Sequence, residues 1–287
     1  MKRLYIIVNK SYPTQVSFTL LNQSAKEKGV EVIPIVVEEF DFLQPPSFSS
    51  EDGLYRISTS ETSRLIEKFL INKEVLSFYQ NYEYCVGKFD NVIETTLLHQ
   101  KNGLPIIPTI LYSPYSSAEL LKQYARSLNG FPLILKSIGG QHGVGVIKVD
   151  SLSSLYSLSD YIRSKSDLFI LRKFIDCKQH ARLIVLGEKV IDSIEYKMVK
   201  DDFRSNVGEK LHVLPQRFSQ EIEDIAVQSV KILGLQFGGV DILIDQNNQG
   251  FIAEVNFPCF FPRCQLLTGT DISGMMVNFL IEKSTKL

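Results

Sequence analysis

The stretch that most constrains this chain is a pair of short apolar runs. They are Gly239-Gly-Val-Asp-Ile-Leu-Ile-Asp245 and Gly250-Phe-Ile-Ala-Glu-Val-Asn256, with Asn247 and Asn248 in the gap between them. Both runs are rich in β-branched residues and the gap carries turn formers, which together read as a hairpin. Side chains two apart on a strand share a face, so Glu254 and Asn256 project together and Val255 turns away. Pairing across the turn lets Asp241 join them. Two carboxylates and an amide oxygen at a sheet edge make a hard-oxygen site suited to Mg²⁺, which keeps some waters and takes further oxygens from phosphates. The alternative is that Asp241 and Glu254 are ordinary polar residues on a solvated face.

A chain of 287 residues exceeds the usual single-core size and implies two or three lobes. Its 44% apolar and 22% charged residues are those of a soluble globular protein. A formal net charge of -1 gives no field for nucleic acid or an anionic membrane, so neither is expected as a partner. Cys85, Cys177, Cys259 and Cys264 form neither a disulfide framework nor paired CxxC ligands. The apolar run after Met1-Lys-Arg stops at Asn9-Lys10, too short for a signal sequence, and no stretch approaches a membrane span. A cytoplasmic location is expected.

In chain order, Leu4–Val8, Val30–Val37 and Leu54–Ile57 read as strands and Val16–Lys28 and Thr62–Leu70 as helices. This alternation implies a small α/β layer that carries no dinucleotide fingerprint. Two more helices are read at Asn91–Gly103 and at Ser117–Leu128, with a strand near Thr109–Leu111 between them. Then comes Pro132–Lys136, and after it Gly139-Gly140-Gln-His142-Gly143-Val-Gly145. Closely spaced glycines let several backbone N–H groups approach one anion, and Lys136 can reach the same anion as a point charge. The residues after Gly145 read as a strand and lack the Lys-Ser/Thr of a Walker loop, so the pattern is neither a P-loop nor a Rossmann turn. A flexible hairpin without a ligand is the alternative. His142 has no partner at metal-ligand spacing and reads as solvated or phosphate-facing.

After a serine-rich helix, Ser151–Lys165, an antiparallel meander runs from Leu168 to Lys197 and carries Arg182 on one face. Phe203-Arg204-Ser205-Asn206 sits in a polar loop whose donors suit an oxyanion. Gln220–Leu233 reads as an amphipathic helix leading to the hairpin. Phe257-Pro-Cys-Phe-Phe-Pro262-Arg-Cys264 reads as an apolar loop lining a pocket, and a last helix starts at Thr270 or Asp271.

Taken in order, these motifs resemble the ATP-grasp superfamily, in its branch of ribosomal-protein glutamate ligases and lysine-biosynthesis carrier-protein ligases. The resemblance is densest from Phe131 to Ile272. It implies a mixed α/β and α+β fold in which ATP is clamped between two α+β lobes behind a small α/β lobe. The lobes would be 1–88, 89–170 with the glycine-rich loop, and 171–287 with the metal site. Lys136 would contact the phosphates, Gly139, Gly140, His142, Gly143 and Gly145 would close over them, and Arg172, Lys173, Phe174 and Ile175 would meet adenine by backbone. Asp241, Glu254 and Asn256 would hold Mg²⁺, with Mn²⁺ a possible substitute. Arg204, Arg182 and Asn206 would steady the acyl-phosphate formed on the way to an amide. The implied reaction joins a carboxylate to an amine, with an amino acid or other small carboxylate as substrate, or a peptide or carrier protein as acceptor. A homo-oligomer is possible.

The chain departs from the family pattern in three places. Relatives have Asp-Lys where this chain has Asp90-Asn91, leaving Lys88 as a candidate replacement. The usual Gln-Glu-Tyr-Ile is Arg172-Lys173-Phe174-Ile175, and Ala-Ser-Pro-Gly is Phe257-Pro258-Cys259-Phe260. The last change replaces a small acceptor loop by an aromatic one and favours a substrate with an apolar part over glutamate. The missing lysine also admits a nucleotide-binding module without catalysis.

Overall fold

The computed structural model describes residues 1–87, 91–113, 115–137, 145–165, 169–197, 202–204 and 212–285. The first strands are β1 (Arg3–Val8), β2 (Glu31–Val36) and β3 (Asp52–Arg56), in a parallel sheet of order β2-β1-β3. Helices α1 (Tyr12–Glu27) and α2 (Glu61–Leu70) pack on it, and α3 (Tyr82–Val86) and α4 (Val92–Lys101) come next in the chain. A second sheet takes β4 (Thr109–Tyr112), β5 (Leu133–Ser137), β6 (Val146–Val149) and β7 (Phe169–Lys173) in the antiparallel order β4-β7-β5-β6. Its helices are α5 (Ala118–Ser127) and α6 (Leu152–Lys165). The third sheet holds β8 (Cys177–Leu186), β9 (Lys189–Tyr196), β10 (Val213–Pro215), β11 (Phe237–Asp245) and β12 (Gly250–Asn256), in the order β10-β9-β8-β11-β12. With it go α7 (Gln220–Ile232), α8 (Pro262–Thr268) and α9 (Ile272–Ser284).

Local chemistry sets most of the helix starts. Ser60 accepts from the Ser63 amide, Ser117 from Leu120 and Asp271 from Gly274, each satisfying a donor that the first turn leaves open. α1 begins at Tyr12, ahead of the expected Val16, because Pro13 fits the first turn, where no amide hydrogen is needed. The same property of Pro262 starts α8, in a stretch whose prolines suggested only a loop. Gly269, at a φ of 76°, then ends that helix in the left-handed region.

Packing divides the molecule in two. Leu4, Ile6 and Val8 of β1 share a core with Ile184, Phe237 and Met276, while Tyr5 and Ile7 share another with Leu183, Val240 and Val230. Alternate faces of one strand thus enter two cores, and both cores contain residues of the five-stranded sheet. The four-stranded sheet has a core of its own, in which Leu133, Leu135, Val149 and Leu171 meet Leu121, Ala125, Leu155 and Ile162. The lobe boundary expected after residue 170 falls inside β7, whose whole length pairs with β4 and β5. α4, expected in the same lobe as β4–β7, packs instead on β12 and α7, where His99 Nε2 lies 3.0 Å from the Ser229 carbonyl. The chain enters the four-stranded lobe at Pro108 and leaves it at Lys173, and the Lys173 amide donates to the Pro108 carbonyl at 2.9 Å. Just before that entry, Pro105–Ile107 runs along the outer edge of β12, with the Ile252 amide bonded to the Pro105 carbonyl at 2.8 Å.

Candidate active site

The β11–β12 hairpin forms as its spacing predicts. Asp241 stands opposite Glu254 and Gly239 opposite Asn256, with a bulge between Asp241 and Ile242. The three polar heads converge: Asn256 Nδ2 lies 3.3 Å from Asp241 Oδ2 and 3.3 Å from Glu254 Oε1. β8 adds Arg182 directly across from Asp241, and its fork donates from Nε to Oδ1 and from Nη2 to Oδ2 at 2.7 Å. His180, two residues earlier on the same face, places Nε2 3.7 Å from Asp241 Oδ1. The Arg182 guanidinium also lies over the Tyr196 ring, 5.9 Å from its centroid.

The other side of the cleft reaches the same group. From β5, Lys136 Nζ donates to Glu254 Oε2 at 2.7 Å, joining the four-stranded lobe to the hairpin. Arg172 on β7 makes a second crossing, to the Ala253 carbonyl at 3.1 Å and Thr96 Oγ1 at 3.0 Å. Gly145, just before β6, has a φ of 78°, and a Cβ there would press on the Ser137 hydroxyl, a setting that favours glycine.

Burial and charge oppose each other at both carboxylates. Burial alone would raise Asp241, but the guanidinium of Arg182 and the imidazole of His180 hold it well below the carboxylate range. For Glu254, burial is likewise outweighed by the Lys136 ammonium, and the carboxyl stays below its ordinary value. Both are therefore anionic at neutral pH. Among the described residues no three His, Cys, Asp or Glu cluster as metal ligands. Two carboxylates and an amide oxygen remain, a donor set that fits Mg²⁺ completed by water and phosphate. Cys259 is no nucleophile: it is buried against Gly239, and burial pushes its thiol up to about 11.

The remaining expected residues lie apart or outside the described residues. Arg204 bonds Asp202 through Nε and Nη2, both at 3.0 Å, and its guanidinium lies over Phe203. Phe203 meets Phe174 at 6.5 Å between ring centroids, which sets this loop beside the end of β7, and Lys148 lies over the same Phe174 ring. Lys88, Gly139, Gly140, His142, Gly143 and Asn206 fall outside the described residues. The segment read as a pocket loop is mostly core. Phe257 packs on Tyr79 and Tyr55, at 5.1 and 5.9 Å, Cys259 and Phe261 are buried, and only Phe260 of this run is exposed.

A family model fits this geometry: the RimK-like ATP-grasp domain matches residues 90–280. The chain belongs to the RimK-like ATP-grasp family. It is accordingly an ATP-dependent ligase that joins a carboxylate to an amine. The probable alpha-L-glutamate ligase of Vibrio parahaemolyticus is 30% identical over 213 residues, 73% of this chain and 69% of that protein. The ribosomal protein bS6–L-glutamate ligase of Escherichia coli O7:K1 is 26% identical over 217 residues, 74% of this chain and 70% of its own length. Among solved structures, ATP-grasp ligase PsnB with a minimal precursor superposes at a TM-score of 0.74 with 16% identity, covering 97% of this chain and 98% of that one. D-alanine–D-alanine ligase from Bacillus anthracis superposes at 0.70 with 16% identity, covering 100% and 98%. These two likenesses confirm the ATP-grasp fold. Within this family member, sequence reading missed the Arg182–Asp241 pair as a pair. Its only local signal was the alternation that puts His180 and Arg182 on one strand face. No helix is long and apolar enough to cross a membrane among the described residues.

Proposed function

We propose that the cleft between the four-stranded lobe and the β11–β12 hairpin takes Mg²⁺ and ATP and activates a small carboxylate for capture by an amine. The observation that carries this reading is the Lys136–Glu254 bond across the cleft, which puts a phosphate-seeking ammonium on a metal-seeking carboxylate. Asp241, Glu254 and Asn256 would hold the ion, and Mn²⁺ would suit the same oxygens. When bound, the ion neutralises charge on the phosphoryl oxygens. Lys136 and Arg182 keep the two carboxylates ionised and aimed before loading. Backbone groups of Arg172–Ile175 would meet adenine, and Gly139, Gly140, His142, Gly143 and Gly145 would cover the phosphates.

In the reaction, a substrate carboxylate oxygen attacks the γ-phosphorus and ADP leaves with the bridging electron pair. The amine then attacks the acyl carbon, inorganic phosphate leaves with the carbon–oxygen pair, and the nitrogen gives its proton to water. Such chemistry needs positioning and charge neutralisation more than a covalent side chain. Arg204 and Asn206 would face the acyl-phosphate. Arg182 would act through Asp241, since its fork is occupied there.

A free amino acid or other small carboxylate is the first reading of the substrate; the Phe257–Phe260 run gives no preference for an apolar one, because Phe257 and Cys259 pack into the core. A peptide or protein acceptor is the second reading, favoured by the ribosomal-protein substrate in the E. coli relative's name. Phosphate release from ATP and Mg²⁺, screened against pooled amino acids, dipeptides and carboxylates, tests both. Release that depends on one pool supports the first reading. Release only with added peptide supports the second, and no ATP binding sinks both.

A further inference from the structure

Arg172 is 4% exposed, in the four-stranded sheet, yet its side chain turns away from that lobe's core and bonds across to β12 and α4. In the β5–β7 register Ile134 pairs with Arg172 and Lys136 with Ile170, so Lys136 and Arg172 lie diagonally on one face. The opposite face carries Leu133, Leu135 and Leu171 into the lobe's own core. The two bonds that Arg172 makes, to the Ala253 carbonyl and Thr96 Oγ1, both go to neutral acceptors. Among the described residues it makes no ion pair, and its Nε–H is buried without a partner. Burial pushes the guanidinium down to about 10, against the pull of Glu254, whose own partner is Lys136. A buried cation is costly without an anion of its own. Among the described residues the ion pairs at the hairpin join Lys136 to Glu254 and both Arg182 and His180 to Asp241, and none of them includes Arg172.

The position where the family resemblance expects a second nucleotide lysine cannot supply a positive charge. Asn91 is neutral, and its Oδ1 accepts from the Ile93 and Glu94 amides at 2.9 and 3.0 Å to start α4. Thr96, the Arg172 acceptor, is on that same helix. We propose that Arg172 supplies the second nucleotide cation, replacing from β7 the lysine absent at Asn91. The inference rests on the Mg²⁺–ATP reading above. A guanidinium has five N–H donors, and the Nε–H and the remaining Nη hydrogens are the ones that would meet the nucleotide.

Equilibrium titration of the full chain with ADP and Mg²⁺ by calorimetry tests this, with the melting temperature as a check on folding. Arg172→Gln should weaken binding roughly tenfold or more, the worth of a charge-assisted hydrogen bond. Adding Asn91→Lys to Arg172→Gln should bring the affinity back to within about threefold of the unmodified chain, as compensating sites in one network do. Asn91→Lys alone should change it by less than about threefold, because the charge is already supplied. Unchanged affinity in Arg172→Gln overturns the proposal, as does a tenfold tightening by Asn91→Lys alone. Loss of affinity confined to Lys88→Gln also overturns it and assigns the charge to that lysine. If Arg172→Gln fails to fold, Asn91→Lys decides by itself. An unmodified chain that binds no ADP with Mg²⁺ overturns the Mg²⁺–ATP reading and this proposal together, an outcome distinct from a variant that binds as well as its parent.

Discussion

In the body built on the three- and five-stranded sheets, successive residues of β1 enter two different cores, and each core is completed by β8 and β11. The four-stranded lobe keeps one core to itself and meets that body through polar bonds, Lys136 to Glu254 and Arg172 to Ala253 and Thr96. Apolar packing is dense and has no exchangeable partner, whereas an ion pair can be traded for another ion. The difference therefore places the replaceable contacts at the seam, which is where a charged ligand would enter.

Core truncation should separate the two bodies most clearly. Leu135→Ala should cost about 2–5 kcal/mol and Leu183→Ala a similar amount, from lost burial and the cavity left behind. Hydrogen exchange should place the first loss in β4–β7 alone and the second in β8, β11 and β1 together. If Leu135→Ala loosened β1 equally, the two-body description would be wrong. Next, Glu254→Gln should lower turnover by on the order of 100-fold while the fold survives, as removal of a charge-stabilising group does. Unchanged turnover in a phosphate-release assay would remove Glu254 from the metal site. At the seam, Lys136→Met leaves Glu254 without its ammonium and should weaken nucleotide binding roughly tenfold, read by the same titration.

The smallest effect is in the body built on the three- and five-stranded sheets. Lys283 on α9 donates to the Ser77 and Tyr79 carbonyls and to Gln236 Oε1, and burial lowers it to about 8. Between that value and the ordinary 10.5 of lysine, the unfolded chain holds a proton that the folded chain does not. Stability from this group should therefore rise as pH climbs through that window, and Lys283→Gln should flatten the rise. Urea melts at pH 8 and 10 compare the two, and an equal slope in the variant would assign the pH dependence elsewhere.

Period-two alternation was enough to bring Asp241, Glu254 and Asn256 together, because strand facing is a local property. Capping residues Ser117 and Asp271 marked their helices for the same reason. What the chain hid is non-local. Arg182 meets Asp241 only through the β8–β11 register, and nothing near Arg172 in sequence points to Ala253 or Thr96. Phe257 looked like a pocket lining because its neighbours are aromatic, yet Tyr55 and Tyr79, far away in the chain, take it into the core. α8 was masked by Pro262, which disfavours a helix everywhere except at its start.

The hydrogen bond between the Lys173 amide and the Pro108 carbonyl has a further meaning. The four-stranded lobe begins and ends at adjacent points, so in topological terms it is a cassette inserted into one loop of the other body. Segments whose ends meet at the surface can be exchanged without rethreading their host. Splicing between 108 and 174 would transplant Lys136 and Arg172 together and leave the Asp241–Glu254–Asn256 triad with its original owner. Chimaeras cut at those two points can thus swap the cation half of the cleft as a single part.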